Sequence, residues 1–229
     1  MRTRNDKSPA QDAAPVRQEL VVGSPVDEYT VSPPERATVA MFGNAAPVFE
    51  TLTRSTPDLA VEPLLATAWE FRAPGTWRFT LRRGVTFHNG VAFNAQAAAW
   101  NVNERLAKQG FIPGIKADSA VVVDEFTIDV TPNPANMQLP GYLTNTYYSM
   151  VAPNTSAGAA TSPESTPTGT GPFKFVSYQK DRELAVSRFD GYWGKKPEAD
   201  GARYIWRKES AVRAAMVKVG EADIAPNIA

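Results

Sequence analysis

Residues 69–81 read WEFRAPGTWRFTL, two runs of alternating apolar and polar residues that flank a Pro-Gly pair. Successive side chains of a β-strand point to opposite faces, so this alternation is typical of half-buried strands. We therefore predict an antiparallel hairpin made of Trp69–Arg72 and Trp77–Leu81, with its turn at the Pro-Gly pair. Its buried face should carry Trp77, Phe79 and Leu81.

The same alternation recurs later in the chain. It predicts two more hairpins, Ala120–Val123 with Phe126–Thr131 and Phe173–Tyr178 with Glu183–Phe189. Shorter apolar runs bounded by turn residues predict single strands. These are Glu19–Gly23, Val85–Phe87, Tyr148–Ala152, Arg203–Arg207 and Ala222–Ile224.

Apolar residues at helical intervals predict the helices. Asn94 is a suitable N-cap for a helix over Ala95–Lys108, in which Ala98, Val102 and Leu106 form a buried stripe. Helices are also predicted at Asn136–Leu143 and Ser210–Val219. Ala37–Arg54 carries apolar residues at the spacing of a helix face, although Gly43 and Pro47 weaken that prediction. Leu64–Ala68 is predicted to form a short turn or helix. Hairpins with separate helices indicate a mixed α/β (α+β) fold rather than a regular βαβ winding.

The composition excludes several classes of protein. The chain has 229 residues, no cysteine and one histidine, which rules out disulfides, cysteine-ligated metals and thiol nucleophiles. Lysine plus arginine and aspartate plus glutamate are 24 each, and the formal net charge of zero argues against nucleic acid as a partner. Because the sequence contains no apolar run of about 18 residues, we expect no membrane-spanning helix. No cofactor or metal is predicted.

No group of residues predicts catalysis. His88 stands in a Phe-His-Asn-Gly turn sequence without a Gly-x-Ser-x-Gly nucleophile motif, so we interpret it as a turn residue. Gly169-Thr170-Gly171-Pro172 lacks the lysine of a phosphate loop and is interpreted as a turn whose glycines allow positive φ. Asp124-Glu125 is interpreted as a solvated hairpin tip. A hydrolase that uses His88 is the enzymatic alternative.

Two stretches are expected to lie outside the folded core. Residues 1–18 are polar, lack the apolar core of a signal peptide and are predicted to form a disordered leader. Residues 153–170 are rich in Ser, Thr, Ala, Gly and Pro, a composition that predicts a long exposed loop. The folded unit is therefore predicted to span residues 19–229.

Four segments form an ordered set of motifs. The first joins FETL at residues 49–52 to PLLATAWE at residues 63–70. The second is LRRGVTFHNG at residues 81–90, followed by FNA at residues 93–95. They are similar to the stretches "YE-L … P-LA-SWE" and "LR-GV-FHDG-P-TA-DV" of one protein family, with Gln96-Ala97 where Glu-Asp is usual.

The third segment combines GTGPF at residues 169–173 with RFDGYWG at residues 188–194, and the fourth is VGEADI at residues 219–224. These look like "GTGPY/F … RN--YWG" and "L--GE-DI" of the same family. All four, in order, resemble the extracellular solute-binding protein family 5 of ABC importers, the dipeptide-, oligopeptide- and nickel-binding group. The resemblance covers the chain from about residue 20 onward.

The resemblance implies a periplasmic-binding-protein type II-like fold. Members of this family have two lobes, bind their ligand in the cleft between the lobes and are much longer than this chain. Residues 19–229 would then form the first lobe, truncated before the second lobe, which is absent. The family's extra subdomain would lie within about residues 38–165.

The implied function is that of the substrate-binding component of an ABC importer. Such a protein would capture peptides, or a similar small solute, in the periplasm or at the cell surface and deliver them to a permease with its ATPase. Binding needs no covalent chemistry, so we expect that the chain is not an enzyme. The alternatives are a ligand-sensing receptor lobe of the same fold and a nickel- or metallophore-binding member.

The resemblance also places ligand contacts in the loop after the first strand and in the extra subdomain. Nickel-type members bind a carboxylate with an arginine near the position where this chain has Thr146, a departure that favours peptide over nickel. The expected ligand-binding residues are Glu35, Met41, Phe42, Asn44, Phe111, Tyr147 and Tyr148.

Overall fold

A computed structural model describes residues 19–24, 47–153 and 168–226. Within these ranges the chain forms short helices and ten strands arranged in three sheets. The strands are β1 (Glu19–Ser24), β2 (Thr53–Ser55), β3 (Val61–Pro63), β4 (Ala66–Arg72), β5 (Thr76–Leu81), β6 (Ala120–Asp124), β7 (Thr127–Val130), β8 (Phe173–Gln179), β9 (Glu183–Arg188) and β10 (Gly201–Trp206). The helices are α1 (Ala95–Trp100), α2 (Ala107–Gln109), α3 (Leu139–Tyr142) and α4 (Ser210–Lys218).

The hairpin predicted from residues 69–81 is confirmed. Strands β4 and β5 pair antiparallel with Trp69 opposite Phe79, and the sheet continues in the order β4-β5-β7-β6. Phe79 and Leu81 are buried while Thr80 between them is exposed, as the alternation requires. The prediction of a turn or helix at Leu64–Ala68 is wrong, because β4 already starts at Ala66, which pairs with Leu81.

The β6–β7 hairpin is also confirmed, and Asp124-Glu125 forms its exposed tip. The outer edge of β6 is protected by a side chain of the neighbouring helical segment. Asn103 Nδ2 donates to the Ala120 carbonyl and Asn103 Oδ1 accepts from the Ala120 N–H, both at 2.8 Å. An edge strand whose backbone groups are occupied in this way is less open to pairing with another chain.

A second four-stranded sheet has the order β1-β10-β9-β8. Strand β1 runs parallel to β10, and the other neighbours are antiparallel. The predicted strands at Glu19–Gly23 and Arg203–Arg207 and the predicted β8–β9 hairpin are therefore confirmed. Of Ala222–Ile224, only Ile224 makes a β-bridge, which is parallel and joins it to Val22.

The predicted helix after Asn94 is confirmed and has an irregular middle. Asn94 Oδ1 accepts from the Ala97 N–H at 3.0 Å, which caps α1. The helix continues through a π-helical turn, Asn101–Leu106, into α2. The apolar stripe of Ala98, Val102 and Leu106 is buried as expected.

Two predicted strands are absent from the described residues. Val85–Phe87 makes a single bridge, between Thr86 and Ala92, rather than a ladder. Tyr148–Ala152 is not a strand because its first residue closes a 3₁₀ turn, Thr146–Tyr148. Its later N–H groups bond to scattered partners: Met150 to the Glu50 carbonyl, Val151 to Asn101 Oδ1 and Ala152 to the Thr168 carbonyl.

Three helical predictions need adjustment. The part of Ala37–Arg54 within the described ranges is irregular from residue 47 to residue 52 and then enters β2, so it is not helical. The helix predicted at Asn136–Leu143 is only the short α3. The helix predicted at Ser210–Val219 is confirmed as α4, but its apolar side chains do not form one buried face, since Met216 is buried while Val212 and Val219 are exposed.

The buried side chains form two cores. One lies between the β4-β5-β7-β6 sheet and the helical segments, with Phe79, Phe87 and Leu106 among its buried members. The other lies on the β1-β10-β9-β8 sheet. Residues 47–52 connect them, because Val48 and Phe49 belong to the second core and Leu52 to the first.

Candidate functional site

Side chains from three of the four motif segments meet at Glu50, on the link between the two cores. Thr170 Oγ1 and Trp193 Nε1 donate to Glu50 Oε2, each at 2.9 Å, and Tyr192 OH donates to Oε1 at 2.9 Å. Only 6% of Glu50 is exposed. We call Glu50, Thr170, Tyr192 and Trp193, with Arg82 and His88 beside them, the motif cluster.

Burial raises the pKa of Glu50, and the bonds from Trp193, Thr170 and Tyr192 together with the charge of Arg82 oppose that rise. Arg82 comes from the second motif segment and lies over the Trp193 ring, 4.2 Å from the ring centre. A guanidinium on an indole face is a favourable cation–π contact. The sequence analysis assigned no role to Glu50. The pattern that could have indicated a buried, hydrogen-bonded carboxylate is a single acidic residue within the otherwise largely apolar run of residues 48–52.

His88 joins the motif cluster to the loop at residues 168–172. Its backbone N–H donates to the Gly169 carbonyl at 2.9 Å, and its ring Nε2 lies 3.0 Å from the Gly171 carbonyl. The ring also packs edge-on against Phe189, with the centroids 4.9 Å apart. Burial lowers the pKa of His88. These contacts agree with the interpretation of His88 as a turn residue.

The two glycines of the 169–173 motif allow a close approach of two backbone segments. An added Cβ at Gly169 would lie 2.1 Å from the Val48 carbonyl oxygen, and one at Gly171 would lie 2.5 Å from that of Pro47. Neither glycine is among those with positive φ, so the predicted reason for them is wrong. The loop is also buried at Thr168 and Thr170, where an exposed loop was predicted, because it packs against residues 47–50.

Of the predicted ligand-binding residues, Glu35, Met41, Phe42 and Asn44 lie outside the described residues. The structure brings the other three together. Ring centroids of Phe111 and Tyr147 are 5.4 Å apart, and those of Tyr147 and Tyr148 are 5.3 Å apart, each pair edge to face. We call Phe111, Tyr147 and Tyr148 the aromatic cluster.

The aromatic cluster has an exposed and a buried part. Phe111 follows α2 and is 59% exposed, while Tyr147 and Tyr148 are buried in the 3₁₀ turn. Asn145 Oδ1 accepts from the Tyr147 N–H at 2.9 Å and so fixes the start of that turn. An exposed aromatic ring supported by buried rings is a rigid apolar surface on which a ligand can pack.

Arg105 lies next to this cluster and was missed by the sequence analysis. It sits in the π-helical turn, is buried, and donates from Nη2 to the Ser149 carbonyl and from Nε to Asn101 Oδ1. Burial lowers its pKa to about 10, and Tyr147 is the neighbour whose phenol opposes that shift. Asn101 and Arg105 are four residues apart and flank the apolar stripe of the helix. Because residues with this spacing are neighbours on a helix, the sequence could have indicated that the two side chains bond to each other at the edge of the core.

Tyr148 also lines a separate groove of about 740 Å³. This groove lies between β4 and β5 on one side and α3 with the following turn on the other, and its aromatic walls are Trp69, Trp77, Tyr142 and Tyr148. Trp77 Nε1 donates to the Asn136 carbonyl at 2.9 Å, so this ring is held in place. Tyr148 therefore contributes to two aromatic surfaces.

Within residues 19–24, 47–153 and 168–226, no set of three or more His, Asp or Glu side chains is arranged to hold a metal ion. The same ranges contain no helix with the length and apolar character needed to cross a membrane.

Comparison with solved structures identifies the class of fold. The chain superposes on the dipeptide-binding protein of Pseudoalteromonas in complex with Met-Leu with a TM-score of 0.78 at 18% identity, covering 91% of this chain and 47% of that one. For the DppA protein of Helicobacter pylori in complex with the peptide STSA, the TM-score is 0.74 at 24% identity, covering 90% and 46%. The fold is that of part of a type II periplasmic binding protein.

The sequence then identifies the family. Residues 60–229 match the bacterial extracellular solute-binding proteins, family 5, and the chain belongs to this family. It is 28% identical to the glutathione-binding protein GsiB of Pectobacterium atrosepticum, over 73% of this chain and 34% of that protein. It is also 28% identical to the dipeptide-binding protein of Escherichia coli, over 72% and 36%. The chain thus spans about a third of the length of these relatives, both of which are named as binding proteins.

Proposed function

We propose that this chain belongs to the substrate-binding component of an ABC importer, captures a peptide or a similar small solute outside the cytoplasmic membrane, and presents it to a permease with its ATPase. Family membership over residues 60–229 supports the binding role. Dipeptide- and glutathione-binding proteins among the relatives support a peptide-like solute. On this proposal residues 19–229 form the first lobe, and the extra subdomain lies within about residues 38–165.

The observation that carries the proposal is the aromatic cluster. It combines an exposed ring, Phe111, with two buried rings and a polar backbone turn, the mixture of apolar surface and fixed polar groups that small-solute sites use. The motif cluster does not have this character, because its polar side chains already bond to one another. We therefore assign ligand contact to the aromatic cluster and a structural role to the motif cluster.

On this proposal the solute lies between two lobes, so binding of defined probes is tested on the protein with both lobes rather than on the 229-residue chain alone. We expect the dipeptide Met-Leu or glutathione to raise the melting temperature and to give a saturable heat of binding in calorimetry. Free leucine is a suitable control, since it has one side chain and no peptide bond. Failure of Met-Leu, glutathione and a mixture of short peptides to bind at millimolar concentration would contradict the peptide-like substrate class.

A further inference from the structure

The groove between the β4–β5 hairpin and α3 is an open cavity that the proposed solute site does not include. Its volume of about 740 Å³ lies within the range of about 300–1,000 Å³ that small-molecule sites occupy. It shares only Tyr148 with the aromatic cluster, and Phe111 does not line it. The groove is therefore large enough to hold a ligand of its own.

Aromatic rings stand on two sides of this groove. Trp69 and Trp77 lie on one face of the β4–β5 hairpin, since each is two residues from the position that pairs with the other. Tyr142 of α3 and Tyr148 of the 3₁₀ turn form the other side. Aromatic pairs attract each other in edge-to-face and offset-stacked geometries, so a ring that enters the groove finds partners on both sides.

Hydrogen bonds hold both sides of the groove in place. Trp77 Nε1 donates to the Asn136 carbonyl at 2.9 Å, and Asn136 Oδ1 accepts from the Gln138 N–H at 3.0 Å. Thr53 Oγ1 donates to the carbonyl of Pro140, in α3, at 2.7 Å. A wall that is already fixed adds little ordering cost when a ligand binds.

The walls of the groove carry no charge. None of the described residues that line it is acidic or basic. The charged residues next to lining residues in the sequence all form ion pairs, which are Glu62 with Arg54, Glu70 with Arg72 and Arg78 with Asp129. A charged ligand would lose hydration in the groove without gaining an ionic partner. The groove therefore favours an uncharged ligand.

Neutral hydrogen-bonding groups accompany the aromatic rings. The indole N–H of Trp69 and the phenol hydroxyls of Tyr142 and Tyr148 bond to no atom of the described residues. Burial and the neighbouring phenols of Tyr147 and Tyr142 raise the pKa of Tyr148, so its hydroxyl keeps its proton. Amide and hydroxyl groups of a ligand can both donate to and accept from such groups.

We propose that this groove is a second binding site, specific for uncharged molecules that carry an aromatic ring beside a neutral amide or hydroxyl group. The ring packs among the four aromatic walls, and the polar group bonds to the indole N–H and the two phenol hydroxyls. This site is separate from the solute site of the proposed function, which contains Phe111, and its existence does not depend on that function.

Three related probes test the ligand class on the protein with both lobes. N-acetyl-tryptophanamide is uncharged and carries an indole ring, N-acetyl-tryptophan has a carboxylate in place of the amide, and N-acetyl-leucinamide has an aliphatic side chain in place of the ring. We expect calorimetry near neutral pH to give a dissociation constant of about 1 mM or lower for the first probe and at least about tenfold weaker binding of the other two. Equal affinity for all three, or no binding of N-acetyl-tryptophanamide, would overturn the inference.

Variants locate the site. Met137 lines the groove and is 59% exposed, so Met137→Lys should fold and place a positive charge on the wall. This charge attracts the carboxylate probe, and we expect the preference for N-acetyl-tryptophanamide over N-acetyl-tryptophan to fall to near one. Val121→Lys, at a residue that is 60% exposed and outside the groove, is the matched control and should keep the preference of the parent protein.

Circular dichroism and melting curves check that each variant is folded. A folded Met137→Lys with an unchanged preference would overturn the assignment to the groove. Phe111→Ala should bind N-acetyl-tryptophanamide as the parent does, and a tenfold loss in that variant would place the probe on the aromatic cluster and also overturn the inference. Failure of Met-Leu and glutathione to bind would contradict the proposed function alone, because neither probe tests the groove.

Discussion

The motif cluster contains one buried charged side chain and the aromatic cluster lies next to another, and the two charges differ in how fully they are hydrogen-bonded. Glu50 is 6% exposed and accepts hydrogen bonds from Thr170, Tyr192 and Trp193. Arg105 is 9% exposed and keeps one nitrogen without an acceptor. A buried charge whose hydrogen bonds are completed within the chain loses less free energy on burial than a buried charge that is incompletely bonded. The residues with the most specific sequence motifs thus have structural roles.

The largest expected effect comes from breaking the motif cluster. Glu50→Leu removes the acceptor for three side-chain donors, and we expect a loss of about 3 kcal/mol in the free energy of unfolding, because those donors lose their partner in a largely dry site. Urea unfolding followed by circular dichroism measures it. Glu62→Leu is the matched control, since Glu62 makes an exposed ion pair with Arg54, and its cost should stay below about 1 kcal/mol. Similar losses of unfolding free energy in both variants would contradict the structural role of Glu50, because it would then matter no more than an exposed ion-pair partner.

The close approach of two backbones in the motif cluster is tested at a glycine. In Gly169→Ala the new methyl group would lie 2.1 Å from the Val48 carbonyl oxygen, so the loop must shift, at an expected cost of about 2 kcal/mol. Gly141→Ala, in α3, meets no atom within 4 Å and should be neutral or slightly stabilising. Thermal melts of both variants compare them, and a Gly169→Ala protein as stable as the parent would contradict the packing described here.

The pH dependence of stability separates His88 from Glu50. Burial lowers the pKa of His88 in the folded state, whereas in the unfolded chain the pKa of this histidine is about 6.5. Below that pH the unfolded chain therefore binds more protons than the folded chain. The free energy of unfolding consequently falls as the pH falls, by up to about 1.4 kcal/mol per pH unit. Burial raises the pKa of Glu50, so this group changes stability with pH in the opposite direction. Its contribution to the free energy of unfolding is complete below the pKa that it has in the unfolded chain and is lost as the pH rises through its pKa in the folded chain.

Urea titrations between pH 4.5 and pH 7.5 should therefore show that His88→Gln loses the acid-side decline of the parent protein. Met-Leu affinity at pH 7.5 should change by only a few-fold, because His88 contacts the 169–171 loop and not the aromatic cluster. A tenfold loss of affinity in folded His88→Gln would assign His88 to the ligand site.

The smallest effect on stability is expected at the exposed edge of the aromatic cluster. Phe111→Ala removes a ring that is already 59% exposed, so the free energy of unfolding should fall by less than about 1 kcal/mol. Affinity for Met-Leu should nevertheless fall about tenfold, because the ligand loses an apolar surface. Phe71→Ala is the control, since Phe71 is also exposed and packs edge-on against Trp77. Equal binding by both variants would place the ligand elsewhere.

Local sequence patterns predicted the elements with strong alternation or capping. The β4–β5 hairpin, the β8–β9 hairpin and the helix capped by Asn94 are all present, because strand periodicity, turn residues and caps act between near neighbours. The strand predicted at Tyr148–Ala152 does not form, because the hydrogen-bond partners of this segment are distant residues rather than near neighbours. This segment is largely apolar and does not alternate between apolar and polar residues. Such a run fits a paired β-strand as well as an extended segment whose N–H groups bond to residues far along the chain.

The sequence by itself determined the mixed α/β class and the family, and it also brought Phe111, Tyr147 and Tyr148 into consideration as ligand-binding residues. Only the tertiary structure decided what Glu50 and Arg105 do. Glu50 bonds to Trp193, a residue 143 positions away, and Arg105 bonds to Ser149, 44 positions away. The role of a buried charge depends on whether such distant partners complete its hydrogen bonds, and no local pattern of residues records that.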